Sequence, residues 1–319
     1  MKLNIGLKVL IAASTVVVLA FAVFILYFDS ELKQTTTENL KAELLETGRL
    51  STSSISNWMG GRALLVNALA QDVATDPTSQ KARILVDNKT LNDMFAFTYF
   101  GSAQGEMIMS PNDPLPEGYD PRIRPWYKAA SDAKAGVLTE PYQDAATGSL
   151  IVTISYPVQD GNKFHGAVGG DIVIDTLSDI LAQVNLGGDG YAFLVNEFGD
   201  VISHPNAEHV LKPMKEIYPE NTPDVSMNVN NVNYDAEQIF LFFKVEGLPT
   251  VNWYLGFVVE RDKAFASSNE FRLTAVVAGV LSTISCDYCP EPFDKIFSDT
   301  PCRFSDRGHE KPSEWELGC

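Results

Sequence analysis

The hydrophobic pattern opens with 20 consecutive uncharged residues, Val9 to Phe28, rich in Val, Leu, Ala and Phe. At roughly 1.5 Å per helical residue, such a run matches the roughly 30 Å apolar thickness of a bilayer, so a membrane-spanning helix is predicted over residues 9–28. Lys2 and Lys8 precede the run, while Asp29 and Glu31 follow it. The positive-inside rule then keeps residues 1–8 in the cytoplasm and sends the chain outside from residue 29 onward. A cleaved signal peptide is the competing reading, because Ala20-Phe21-Ala22 has a small-x-small pattern. Against it, the apolar run continues six residues past Ala22 and passes into a helical pattern without a break.

Residues 29–75 contain no proline and place Leu40, Leu44, Ile55, Trp58, Leu65, Leu69 and Val73 at helical spacing. One long stalk helix is predicted, with soft spots at Gly48, Gly60 and Gly61 and an end before Asp76-Pro77, since proline disfavours helical geometry in the residue before it. A shorter helix follows around Ser79 to Asp87. The period then changes to that of strands at Phe95 to Phe100, Met107 to Met109, Leu150 to Val158 and Phe164 to Ile174, runs of β-branched and aromatic residues bounded by Gly, Asn and Asp.

Thr176 to Asp179 reads as a capping box ahead of Leu177, Ile180, Leu181 and Val184, predicting a short connecting helix. Strand signals restart at Tyr191 to Val195, Asp200 to Ser203, Ile239 to Val245 and Trp253 to Val259, a second, smaller unit in the same order. Residues 261–272 are again helix-compatible. A second apolar run, residues 273–285, reaches only 13 residues, short of the roughly 17 to 25 needed to cross a bilayer. Residues 286–319 show no period and contain Pro290, Pro292, Pro301 and Pro312, so a poorly ordered tail is expected.

Composition narrows the possibilities. A chain of 319 residues with 45% hydrophobic content can bury one large or two small cores. The net charge of -17, with no basic stripe, excludes nucleic acid as a partner. Cys286, Cys289, Cys302 and Cys319 are the only thiols, so residues 1–285 fold without a disulfide. Their irregular spacing is a weak zinc signal, and no metal or cofactor is expected. There is no Gly-x-Ser-x-Gly elbow, His-Glu-x-x-His helix, phosphate loop or placed carboxylate pair, so an enzyme is not expected.

Candidate chemistry concentrates in Tyr119-Asp120-Pro121-Arg122-Ile123-Arg124-Pro125-Trp126-Tyr127, joined by Tyr142 and by Asp171 after Gly169-Gly170. A zwitterion presents a carboxylate and an ammonium, so a selective site needs a cationic donor on one side and an anionic acceptor on the other. Arg124 can hold a carboxylate bidentately, with the Trp126 indole N–H and Tyr119 hydroxyl as further donors. Asp171 can take the ammonium, with Tyr127 and Tyr142 presenting hydroxyls or ring faces. Taken singly, each has a bland reading. The aromatics are core or rim residues, Arg124 pairs with Asp120, and Asp171 caps a turn. Taken together, an Arg-Pro-Trp-Tyr run and a distant Gly-Gly-Asp are an unusual way to build a core.

Asp120 to Tyr127, Gly136 to Asp144, Leu150 to Val158, Gly166 to Ile174, and Gly190 to Val195 through Ser203-His204-Pro205-Asn206 resemble the double Cache sensor domain of bacterial methyl-accepting chemotaxis receptors. All six positions Tyr119, Arg124, Trp126, Tyr127, Tyr142 and Asp171 are similar in spacing to that family's amino-acid-recognition motif. The resemblance implies an α+β fold: a long N-terminal membrane-anchored helix followed by two PAS-like (Cache) antiparallel-sheet subdomains. The membrane-distal one, residues 76–178, is expected to bind ligand and the proximal one, residues 179–260, to relay motion. It implies that the counterparts of Tyr119, Arg124 and Trp126 hold the ligand carboxylate and those of Tyr127, Tyr142 and Asp171 its amino group. It also implies a homodimer through the long helix and a sensor outside the bacterial inner membrane. His204 falls in the proximal unit and is expected to be structural, the alternative of a metal ligand lacking visible partners. The C-terminus departs from the family: past Ser285 the sequence resembles out-of-frame or truncated sequence rather than a coupling module and coiled-coil signalling region. Whether such a sensor serves a chemotaxis receptor, a histidine kinase or a cyclic-dinucleotide enzyme stays open, as do amines and other small zwitterions as ligands.

Overall fold

In the computed structural model, residues 5–186, 190–220, 222–226, 232, 234, 236–266, 274 and 277 are described, residues 5–11, 13, 14, 17, 21 and 29 by backbone alone. Helix α1 runs without interruption from Ile5 to Thr75 and stops where the Asp76-Pro77 step forbids another turn. It passes straight through Gly60 and Gly61. Gly48 serves packing instead, because a Cβ there would lie 2.3 Å from the Phe243 ring. The backbone of the expected span, residues 9–28, is helical, and Leu19, Val23, Phe24, Leu26 and Tyr27 are exposed. Among the described residues, no helix is long and apolar enough to cross a membrane, and several side chains of that span lie outside the described set.

The chain divides into two units, residues 1–29 with 271–319, and Ser30–Glu270. Within the second, Ile55, Met59, Val66, Leu69, Ala70 and Val73 form a buried stripe of α1, falling on one face at the i, i+3, i+4, i+7 spacing that a helix against a core requires. Helix α2 (Ser79–Val86) is capped by the Thr78 side chain, and α3 (Lys89–Met94) by Asn88. The first sheet contains β1 (Phe97–Ser102), β2 (Met107–Ser110), β3 (Val137–Leu138), β4 (Tyr142–Gln143), β5 (Leu150–Asp160) and β6 (Lys163–Val173). All pairs are antiparallel, in the order β2-β1-β6-β5-β3, with β4 also on β5. Between β2 and β3 lie a 3-10 turn, Pro121–Ile123, and α4 (Pro125–Ala133).

Helix α5 (Ile174–Leu181) leads to the second sheet: β7 (Gly190–Asn196), β8 (Val201–Ser203), β9 (Gln238–Lys244) and β10 (Trp253–Glu260), antiparallel in the order β8-β7-β10-β9. A 3-10 turn, Ala207–His209, and short α6 (Met214–Ile217) and α7 (Arg261–Ala264) complete the described elements. The expected α+β fold, a long helix and two antiparallel sheets, is present. One correction concerns α5. It begins two residues before the expected cap at Thr176, on Val173 with no side-chain cap, because β6 runs straight into it and burial of Ile174, Leu177 and Leu181 fixes its start. Residues 267–273 and nearly all of the second apolar run and tail, with all four cysteines, lie outside the described residues.

One core cluster runs from α1 through both sheets, from Leu44 and Ile55 to Val152, Val168, Leu194 and Phe257. The β9–β10 connection is tied down on two sides. Ser56 of α1 donates to the Glu246 carbonyl at 2.7 Å, and Leu138 of β3 donates to the Thr250 hydroxyl oxygen at 3.1 Å. Thr250 adopts φ +67, a left-handed conformation that a β-branched residue rarely takes.

Candidate ligand-binding site

The site lies on the face of the first sheet covered by the α4 segment. Pro125 starts α4, where its missing N–H is no loss, and Arg124 is the N-cap, so its side chain leaves the helix end towards the sheet. Asp120 caps the preceding 3-10 turn through the Arg122 N–H (2.9 Å) and pairs with the Arg122 guanidinium at 2.7 Å. That pair holds the half-buried Asp120 carboxyl down at about 2. Asp120 is thus engaged by Arg122, not by Arg124.

Arg124 donates to the Gln143 carbonyl at 2.8 Å and lies 5.5 Å from the Tyr142 ring centroid and 6.0 Å from that of Tyr119. Tyr119, Arg124, Trp126, Tyr142 and Asp171 line one cavity, together with Tyr99, Met107, Met109, Leu115 and Asp144. Its enclosed free volume is about 10 Å³, the room of roughly one water molecule. Tyr127, the sixth candidate, is buried beside this cavity rather than lining it. Its ring meets Trp126 and Phe164 edge-on, and its hydroxyl donates to the Ser102 carbonyl at 3.4 Å.

Asp171 is 2% exposed. Burial pushes its carboxyl up to about 7, against the opposing pull of hydrogen bonds from Thr153 and Tyr99. Asp144 raises it further and Arg124 lowers it. Tyr142 is pushed well above its ordinary value by burial first and by Asp171 second, so it remains a neutral hydroxyl. The cavity thus offers a guanidinium, a carboxylate poised near neutrality and several aromatic hydroxyls. Aromatic placement explains the glycines. A Cβ on Gly169 would lie 2.3 Å from the Tyr99 ring, and one on Gly101 would lie 2.8 Å from Trp126.

The sequence reading did not name Tyr99, Met107, Met109, Leu115 and Asp144 among its site candidates. Met107 and Met109 fall on a strand it did predict, but nothing in an apolar run reveals which side chains face a cavity. His204 is 5% exposed, accepts the Asn206 N–H at its Nδ1 (2.9 Å) and packs on Tyr191 and Phe193. Burial and then His209 lower it to about 4, so the ring is neutral at pH 7. Among the described residues, no three His, Cys, Asp or Glu side chains gather as metal ligands. A larger groove, about 810 Å³, lies beside Tyr218 and Phe240 at the second sheet. Its walls carry the acids Glu220 and Glu237 and, among the described residues, no basic side chain.

This fold belongs to a known class: the chain is a member of the Cache domain family (dCache_1), which matches residues 28–268. It is close to the sensor domains of methyl-accepting chemotaxis proteins. It is 41% identical over 285 residues to methyl-accepting chemotaxis protein McpA of Pseudomonas putida, covering 88% of this chain and 44% of that protein. The ligand-binding domain of the Pseudomonas fluorescens chemoreceptor CtaA, solved in complex with L-isoleucine, superposes with a TM-score of 0.68 at 37% identity, over 74% of this chain and 98% of that one. That of the Pseudomonas aeruginosa chemoreceptor PctB, in complex with L-Arg, gives 0.67 at 38% identity, over 72% and 98%. These relatives are chemoreceptors, not enzymes. The chain spans less than half the length of McpA.

Proposed function

We propose that this chain is the ligand-sensing part of a chemotaxis receptor and that it binds free L-amino acids by their carboxylate and amino groups. The observation that carries the reading is the presence of Arg124 and Asp171 in the wall of one cavity, with aromatic side chains between and around them. Arg124, Tyr119 and Trp126 take the carboxylate; Asp171 and Tyr142 take the ammonium, with Tyr127 backing them from the core. Charge-assisted hydrogen bonds of this kind contribute about 1.5 to 3 kcal/mol each, so three or four account for the roughly 8 kcal/mol of micromolar binding. L-isoleucine and L-Arg in the related domains support the ligand class. Because the free volume is small, side chains must part to admit the ligand, and Met107 and Met109 are the flexible members of the wall.

In this reading residues 76–178 form the membrane-distal, ligand-binding subdomain and residues 179–260 the proximal one. Residues 9–28 anchor the chain in the inner membrane, with the sensor in the periplasm or outside the cell. The exposed apolar side chains from Leu19 to Tyr27 favour a lipid environment for that part of α1. A homodimer through α1 is part of the same proposal. Calorimetry with the twenty amino acids tests it. Heat with at least one of them, lost in Arg124→Ala and Asp171→Ala, is expected; no heat with any of them removes the proposal.

A further inference from the structure

We infer that Tyr99 and Thr153, outside the six-residue constellation, are positioning residues: by donating to one oxygen of Asp171 they keep it charged and leave the other for the ligand's ammonium. This rests on the proposed amino-acid site and adds to it the groups that make its acidic half work. The sheet register places them. Thr153 of β5 stands directly opposite Asp171 of β6, so both project from the same face. On the other side, β1 pairs Phe97 with Asp171 and Tyr99 with Gly169, so the Tyr99 ring lies over a position with no side chain and its hydroxyl reaches along the strand to the carboxylate.

Tyr99 donates to Asp171 Oδ1 at 2.5 Å and Thr153 Oγ1 to the same oxygen at 2.6 Å. Among the described residues, no donor reaches Oδ2. Tyr142 lies 2.5 Å from Thr153 Oγ1. Since the single Thr153 proton is committed to the carboxylate, Tyr142 must be the donor in that contact, and its own oxygen then accepts from the ligand. The Thr139 hydroxyl oxygen, accepting the Thr153 N–H at 2.9 Å, holds the strand in place. All of Tyr99, Thr153 and Asp171 are buried, at 3%, 0% and 2% exposed.

Burial alone would leave Asp171 protonated and unable to hold an ammonium. Besides the two donors, the charged and titratable groups facing it are Tyr142 of β4, Asp144 just beyond it, and Tyr119 and Arg124 ahead of α4. Asp144 and Arg124 act in opposite directions, and the two hydroxyl donors pull towards the carboxylate form more strongly than Arg124 does, against burial. An ammonium binds the ionised form, so affinity rises with pH up to the Asp171 midpoint and then levels. Removing one charge-assisted donor moves that midpoint up by about one unit and weakens binding about tenfold below it.

The test uses the full chain in detergent micelles. Carbon-13 NMR follows the Asp171 carboxyl without ligand, and calorimetry with L-isoleucine follows affinity from pH 5.5 to 8.5, in the wild type, Tyr99→Phe, Thr153→Val and Thr153→Ser. The expected result is a wild-type midpoint near 7, raised in Tyr99→Phe and Thr153→Val, restored in Thr153→Ser, with the affinity curve following the carboxyl titration. An unchanged midpoint in Tyr99→Phe and in Thr153→Val, with binding weakened equally at every pH, overturns the inference. If L-isoleucine and the other amino acids fail to bind the wild type, the proposed function falls, and the ligand-free titration still decides whether the two hydroxyls hold the charge.

Discussion

Asp171→Asn is isosteric, and it removes the one buried carboxylate that the first sheet encloses. In the folded, ligand-free chain this carboxyl titrates at about 7 against an ordinary value of 3.8. The folded state therefore holds the proton more tightly than the unfolded chain does. The stability this contributes is fully present below about pH 4 and is lost as pH rises through 7. A displacement of about three units at about 1.4 kcal/mol per unit amounts to a loss of up to about 4 kcal/mol by pH 8. His204 slopes the other way: its ring is held low at about 4 by burial, so its contribution is present above the ordinary histidine value and lost as pH falls through 4. The two slopes oppose each other between pH 4 and 6.5, so the wild-type curve alone is uninformative there. The difference between wild type and Asp171→Asn isolates the carboxylate. Urea unfolding at pH 5, 6, 7 and 8 without ligand is the assay, and the variant is expected to gain on the wild type from pH 5 to 7 and to level off by pH 8. A constant difference across that range would refute the claim that Asp171 is strained by burial.

Three further outcomes are expected. Gly169→Ala drives a methyl group into the Tyr99 ring and displaces it from Asp171, costing about 1 to 3 kcal/mol of stability and weakening amino-acid binding; calorimetry and thermal melting check both. Lys134 is exposed and closes α4 in the left-handed region at φ 53, so Lys134→Gly stabilises the fold by about 0.5 to 1 kcal/mol, read as a higher melting temperature with ligand affinity unchanged. Met107, Met109 and Leu115 give the wall its apolar members and Asp144 adds a carboxylate, so L-leucine binds at least about tenfold more tightly than L-aspartate, whose second carboxylate would meet thioethers or a like charge; competition calorimetry measures the ratio.

How much was legible in the sequence follows from which forces fix each part. The long helix and the major strands were readable because burial along them repeats with the period of the element, and Asp76-Pro77 stops α1 where backbone sterics demand. The two-residue strands β3 and β4 and the six-residue α3 were not, since they are too short to show a period and are held by pairing or caps formed only in the fold. The start of α5 was misread because local capping chemistry lost to burial of its apolar face. In the site, Arg124, Trp126 and Asp171 stood out as residues that are awkward to explain as core. Tyr99 and Thr153 did not, because in strands a tyrosine and a threonine are ordinary, and only the cross-strand register turns them towards one carboxylate.

The most direct measurement compares three small molecules on the wild-type chain by calorimetry: L-isoleucine, its methyl ester and its N-acetyl derivative. The ester keeps the ammonium but loses the charge that Arg124 needs, and the acetyl form does the reverse. The account predicts strong binding of the free amino acid and at least about a tenfold loss with either blocked form, since each leaves one charged partner, Arg124 or Asp171, unmatched. Equal affinity for the free amino acid and either derivative would contradict it.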